Sequence, residues 1–198
     1  MNLILASGSK VRSKILRDAG IRHRVVVSHA DETDVASASP FETATGRALL
    51  KAQWVSSVNP GALVLGVDQV CYDPEKPSIQ WGKPTNDAEH VQRLLTARGS
   101  RQALTTGFAL IGPDVHELGH NTSLLTFRAA ISRAEIEAYV RSGEGSGCAG
   151  GYAVEGQGGF LVEDIEGCFF NVLGLPIFDV WSVLRRLGWR HGESGDQQ

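Results

Sequence analysis

The chain has 198 residues, 42% of them hydrophobic, with 19 lysines and arginines against 22 aspartates and glutamates, a formal net charge of −3. That apolar fraction can build one large domain or two intimate lobes around a real core. The two signs are interspersed and form no basic stripe, which argues against a nucleic-acid polymer as the main partner and leaves a small anion open. The three cysteines, Cys71, Cys148 and Cys168, are an odd number in a chain that needs no disulfides, so the expected compartment is the reducing cytoplasm. Met1 leads directly into a short apolar strand, and no stretch approaches a membrane span, so the expectation is a soluble protein.

In chain order, residues 2–6 read as a short apolar strand, and Ser7, Gly8, Ser9, Lys10, Val11 and Arg12 follow at once. Val11, Ile15, Leu16 and Ala19 then recur at helical spacing. Hydroxyls and free amides at a helix start make an anion site, and Arg12 one turn in can add a bidentate grip on phosphate. The plainer reading is that Ser7 and Ser9 merely cap the helix. Residues 21–28 suggest a second strand running out into an acidic loop, His29 to Asp34, which is either a solvated turn or a metal-binding carboxylate facing Asp68. A helix starts near Pro40 and continues to about Ser57, with Ala44, Ala48, Ala52 and Val55 on one face. Composition alone leaves Lys51, which lies within it, on the surface.

Residues 63–84 organise the rest. A buried-strand pattern, Leu63 to Val67, delivers Asp68 and Gln69 and resumes through Val70, Cys71 and Tyr72. A carboxylate inside such a run is costly to bury without a partner or a metal. After a turn at residues 73–77 the chain returns through Ile79, Gln80 and Trp81 to Gly82, Lys83 and Pro84. A carboxylate and a lysine at one hairpin mouth suit phosphate chemistry with a metal, or a structural ion pair that closes the hairpin.

The pattern then predicts a helix over 85–97, a strand over 101–111 with Thr106 and Gly107 where a ligand can approach the backbone, and a long strand or hairpin arm over 115–131. Ser132 and Glu135 form a capping box opening a helix through Val140. Residues 142–151 are dense in glycine, and Gly145, Gly147 and Gly150 formally match a dinucleotide fingerprint. A helix precedes them and an extended segment follows, the reverse of what that fingerprint needs, so a flexible binding loop is expected. Glu155 stands in a glycine-rich turn before a strand predicted at 160–162, and Pro176 starts a helix that faces the core through Ile177, Val180, Trp181, Leu184 and Leu187. The histidines show no ligand spacing, which argues against zinc. Cys71, in a strand, reads as core.

The order of these motifs is more specific than any one of them: Ala6, Ser7, Ser9 and Arg12; Glu32; Lys51 and Ala52; Gly66, Asp68 and Val70; Gly82, Lys83 and Pro84; Thr106 and Gly107; Ala149 and Gly150; Asn171, Val172, Gly174, Leu175 and Pro176. The chain resembles the Maf-like nucleotide pyrophosphatase family from residue 2 to about 188. The resemblance implies an α/β, inosine-triphosphatase-like fold: a long twisted mixed sheet with flanking helices and a cleft between two lobes. It also implies a single domain over residues 1–190 with a polar tail at 191–198, and a homodimer. The implied reaction is hydrolysis of a nucleoside triphosphate to the monophosphate and pyrophosphate with a divalent cation, magnesium or manganese. Ser7, Ser9, Arg12, Lys51 and Lys83 would hold the triphosphate, Glu32 and Asp68 the metal, and Asp68 would activate the water that attacks the α-phosphorus.

Within the family, Asp68-Gln69, the Gly147 to Gly150 run and Val154-Glu155-Gly156 resemble the branch acting on 7-methylguanosine triphosphate. The branch acting on thymidine and uridine triphosphates carries different residues there. Glu155 as an acceptor suits the N1–H and amine of guanine, and a methylated, cationic base favours a carboxylate further. Val11 stands where the 7-methylguanosine branch often carries an aromatic residue, and the surroundings of Tyr152 and Phe169 to Asn171 look more like the pyrimidine branch. The alternatives are a thymidine and uridine triphosphate pyrophosphatase, or a nucleotide-binding regulator of septum formation with little turnover.

Overall fold

A computed structural model describes residues 2–33, 35 and 39–191. Asp34 of the expected acidic loop and residues 192–198 of the expected tail lie outside the described residues.

The chain begins with a fully buried strand, β1 (Leu3–Ala6), and a helix, α1 (Lys10–Asp18), whose N-cap Ser9 accepts from the Arg12 amide. The strand expected over 21–28 shrinks to β2 (Arg24–Val25), an exposed edge strand on β1. Two exposed valines, Val25 and Val27, show why: the edge has no second layer to bury an alternating pattern. Next comes α2 (Pro40–Ser57), opened by a proline at its first turn. The hairpin β3 (Leu63–Asp73) and β4 (Lys76–Trp81) follows, then α3 (Asp87–Ala97), which starts two residues later than expected because Asn86 caps it and accepts from the Glu89 amide. The long strands β5 (Arg101–Gly112) and β6 (Val115–Phe127) form a second hairpin; β6 stops short of the expected 131 at a register shift between Thr126 and Phe127. The helix α4 (Arg133–Ser142) carries the expected Ser132–Glu135 capping box.

Three 3₁₀ turns, Glu144–Gly147, Ala149–Gly151 and Gln157–Leu161, fill the glycine-rich region. The last of them replaces most of the strand expected at 160–162, and β7 begins only at Val162 (Val162–Glu166). A short helix α5 (Phe169–Val172) and the amphipathic α6 (Ile177–Arg186) complete the chain.

The seven strands form one mixed sheet in the order β2-β1-β3-β5-β6-β7, with β4 pairing β3. β1 is parallel to β2 and β3, and the remaining pairs are antiparallel. One edge of β3 is shared by two partners: β1 takes Leu63 to Gly66, and β4 takes Cys71 to Asp73. Val67 to Val70 pair only with β5, on the other edge. This gap in the sheet contains Asp68 and Gln69 and divides the molecule. On one side, α1 and α6 bury Leu16, Val180 and Leu184 against one sheet face while α2 buries alanines against the other. On the other side, α3, α4 and the glycine-rich turns enclose a separate core around Leu94, Leu125, Phe127, Ile136 and Tyr152. These are the two expected lobes. Among the described residues, no helix is long and apolar enough to cross a membrane.

The seating of α2 is unusually close. A Cβ on Gly66 would stand 2.0 Å from the Ala48 carbonyl oxygen, and one on Gly107 would stand 2.5 Å from the backbone of Ala44 and Thr45. Glycine in a strand weakens it and is kept where another backbone must approach. With Ala44, Ala48 and Ala52 fully buried opposite, the helix rests on the sheet with no long side chain between them. Gly107→Ala is expected to cost about 1–3 kcal/mol by overpacking, lowering the thermal midpoint by several degrees. An unchanged melting curve would show that α2 can shift to admit a methyl group.

Candidate active site

The gap in β3 opens into a cleft of about 740 Å³ between the lobes. Ser7, Ser9, Arg12, Glu32, Lys51, Asp68, Gln69, Lys83 and Glu155 all line it. A larger hollow of about 940 Å³, between the start of β5 and α3, has both of its cations paired: Arg93 with Glu89, and Arg101 with Glu166. The cleft at the gap has the convergent, incompletely matched groups expected of a ligand site.

At its centre is Lys51, whose side chain is only 15% exposed, against the surface position that composition suggested. Its Nζ lies 2.5 Å from Asp68 Oδ1 and 3.1 Å from Glu32 Oε2. The ion pair that holds Asp68 therefore comes from α2. Lys83, the hairpin-mouth cation, is exposed at the exit of β4 and makes no ion pair among the described residues. The Glu32 loop is pinned by local bonds: the Ala30 amide donates to Ser28 Oγ at 3.1 Å, and the Thr33 amide to Asp31 Oδ1 at 3.0 Å.

Arg12 is committed more fully than a phosphate grip requires. Its Nε donates to the Gly174 carbonyl at 2.8 Å, and its Nη1 to the Val67 carbonyl at 2.9 Å and to Ser7 Oγ at 3.0 Å. It thus satisfies a carbonyl in the β3 gap and ties α1 to the turn before α6; among the described residues, only its Nη2 makes no hydrogen bond. Burial pulls its guanidinium below the ordinary value, while Asp68 and Glu32 pull the other way. Ser7 Oγ accepts from Arg12 and from the Ser9 amide, at 3.0 and 3.3 Å, and Ser9 Oγ accepts from the Arg12 amide at 3.3 Å. Both hydroxyls spend acceptor capacity on the protein, so their protons are available to an anion. The capping expected from the sequence is present at Ser9, and it leaves the hydroxyl protons unspent.

Gln69 is fixed by its amide nitrogen. Nε2 donates to the Asn171 carbonyl at 2.8 Å, to Thr106 Oγ1 at 3.0 Å and to the Val172 carbonyl at 3.2 Å. Backbone carbonyls can only accept, so the orientation of the amide is decided by the network. Among the described residues, no donor reaches its Oε1.

Glu155 projects from the far lobe on a turn braced by residues the sequence did not single out. Glu144 accepts from the Gln157 and Gly158 amides at 3.0 and 2.9 Å, Tyr139 Oη accepts from the Ala153 amide at 3.0 Å, and buried His90 contacts the Gly151 carbonyl at 2.5 Å. The glycine-rich segment, expected to be a flexible loop, is thus tied at three points. Cys148 also lines the cleft, but burial first, then Glu155 and Glu144, raise its thiol above the ordinary value and work against a thiolate nucleophile. Arg47, one helical turn before Lys51, is the other cleft cation absent from the sequence reading. Its i, i+4 relation to Lys51 was the available signal.

The family model described as Maf-like protein matches residues 2–187. The chain belongs to the Maf-like family. A nucleoside triphosphate pyrophosphatase of Rippkaea orientalis is 36% identical over all of this chain and 95% of its own length. A protein of Synechocystis with the same name is 38% identical, covering 94% of each chain. A dTTP/UTP pyrophosphatase of Symbiobacterium thermophilum is also 38% identical, again over 94% of each. Among solved structures, the Staphylococcus aureus Ham1 protein aligns over 65% of this chain and 73% of its own with a TM-score of 0.46 at 14% identity.

Removing Glu144 tests how the far-lobe turn is held. In Glu144→Ala the Gln157 and Gly158 amides lose their acceptor, and their hydrogen exchange is expected to accelerate by about tenfold or more, with a stability loss of about 1–3 kcal/mol. Unchanged exchange at both amides would show that the turn holds itself.

Proposed function

We propose that this Maf-like protein hydrolyses 7-methylguanosine triphosphate to the monophosphate and pyrophosphate. The broader class, a hydrolase of nucleoside triphosphates, follows from family membership and from relatives of that name aligned over nearly their whole length. The observation that carries the finer reading is the set of bonds made by Gln69. With Nε2 spent on Asn171, Thr106 and Val172, its remaining polar atom is an acceptor, and Glu155 in the same cleft is an acceptor too. Guanine offers adjacent donors at N1 and its exocyclic amine. Thymine and uracil offer one donor flanked by two carbonyls, which would face acceptors unfavourably. A positively charged, methylated purine gains further from the Glu155 carboxylate.

Glu32 and Asp68 fit a divalent cation: they already converge on one positive group, the Lys51 ammonium, and are hard oxygen donors of the kind magnesium takes alongside phosphates. When bound, such an ion would neutralise phosphate charge and acidify water. The chain's own residues do the rest. Asp68 accepts the proton of the attacking water, while the Ser7 and Ser9 hydroxyls, the α1 amides and Lys83 hold the phosphates in line. Lys51 bridges the two carboxylates and holds them at one point.

A pyrimidine reading is favoured by two relatives named dTTP/UTP pyrophosphatase, 38% and 35% identical to this chain. Pyrophosphate release from 7-methylguanosine, thymidine and uridine triphosphates separates the two. The expected outcome is a preference for the methylated purine that falls roughly tenfold in Glu155→Gln, because a neutral amide replaces a charged acceptor. A pyrimidine preference untouched by that variant would remove Gln69 and Glu155 as base readers. Asp68→Asn is expected to lower kcat by about a hundredfold or more with the melting curve intact. Near-normal turnover would refute its role, and tight nucleotide binding without turnover by the unmodified protein would favour a regulator.

A further inference from the structure

The cleft holds four cationic side chains, and they differ in what they have left to give. Arg12 has spent Nε and Nη1 on two backbone carbonyls and Ser7. Lys51 is shared between Asp68 and Glu32. Lys83 is exposed on the far lobe. Arg47 is different. Its Nε donates to the Val35 carbonyl at 3.2 Å, which fixes the plane of the guanidinium, and its Nη1 lies 3.9 Å from Asp68 Oδ2. That separation is a charge contact and not a hydrogen bond. Among the described residues, neither Nη1 nor Nη2 of Arg47 has a hydrogen-bond acceptor.

The seat of Arg47 is built. Gly46 interrupts α2, where glycine costs helix stability relative to alanine. A Cβ there would meet the Val35 side chain at 2.7 Å, so this glycine lets the loop lie on the helix. The same Val35 supplies the carbonyl that holds Nε. The side chain is 31% exposed, enough to meet a ligand from the cleft it lines. A guanidinium held at one nitrogen, with its two terminal nitrogens uncommitted beside a carboxylate, is a fork for two oxygens of one phosphate.

We propose that Arg47 binds the pyrophosphate portion of the substrate and of the product, and is the main cation contributed to that group by α2. The inference rests on the reading of the cleft as a nucleoside triphosphate site, but its test does not need turnover. Lys51, one turn on, stays with Asp68 and Glu32, so the two positions on one helix divide the work. Arg47 takes the anion, and Lys51 maintains the carboxylates.

Calorimetric binding of inorganic pyrophosphate with magnesium, and of 7-methylguanosine monophosphate, to the unmodified protein, Arg47→Ala and Arg47→Lys provides the test. Melting curves confirm that each variant folds. Pyrophosphate affinity is expected to fall roughly ten- to a hundredfold in Arg47→Ala, to recover only partly in Arg47→Lys, which keeps the charge and loses the fork, and to leave the monophosphate unchanged. In turnover the same variant raises KM more than it lowers kcat. Equal pyrophosphate affinity in the unmodified protein and Arg47→Ala overturns the proposal, as does equal weakening of both ligands or no pyrophosphate binding to the unmodified protein. If the unmodified protein binds pyrophosphate through Arg47 yet hydrolyses no nucleoside triphosphate, the function proposed above fails and this assignment stands.

Discussion

The site depends on one ammonium group held between two carboxylates. Lys51 comes from a helix, Glu32 from a loop and Asp68 from a strand, and their meeting within 3.1 Å fixes the three elements around one point. Each carboxylate alone would pay for partial burial beside the apolar run of β3. Paired with the same cation, each has a partner of opposite charge that offsets this cost. The pair is therefore a weak argument for stability and a strong one for chemistry.

That contact requires α2 to lie unusually low on the sheet. The glycines at 66 and 107 and the alanines opposite them remove the side chains that would hold the helix away, so Lys51 reaches Asp68 from the adjacent layer. The sheet makes a matching concession. Between its pairing with β1 and with β4, β3 leaves Val67 to Val70 without a partner on one edge, and Arg12 takes up the Val67 carbonyl there. An unpaired stretch inside a sheet would normally be a liability. Here it opens the cleft that Asp68 and Gln69 line.

Much of this was legible in the sequence, for identifiable reasons. The Asp68 strand, the Pro40 helix with its alanine face and the Ser132 capping box are local patterns, and they appear with nearly the expected bounds. What the sequence left out is nonlocal. Nothing around Lys51 says that two carboxylates from other elements will enclose it. Arg12 read as a phosphate ligand because helix starts bind anions, yet carbonyls 55 and 162 residues away claim its donors. The strand expected at 160–162 yielded to a turn because Glu144 captures two amides in the glycine-rich segment, a long-range bond that outweighs a short apolar run.

The uncommitted donors and acceptors of the cleft determine how a ligand must lie. Donors gather at the α1 and α2 side: the Ser7 and Ser9 hydroxyls, the amides that open α1, and the terminal nitrogens of Arg47. The far-lobe turn brings a carboxylate, Glu155, and Gln69 beside the gap retains only an acceptor. A molecule that is anionic at one end and rich in N–H groups at the other satisfies both sets in one orientation and clashes with them in the reverse. Lys83, alone among the lining cations in coming from beyond the β3 gap, faces the same cleft from the opposite wall, so under the proposed function an anion would meet positive charge from both sides.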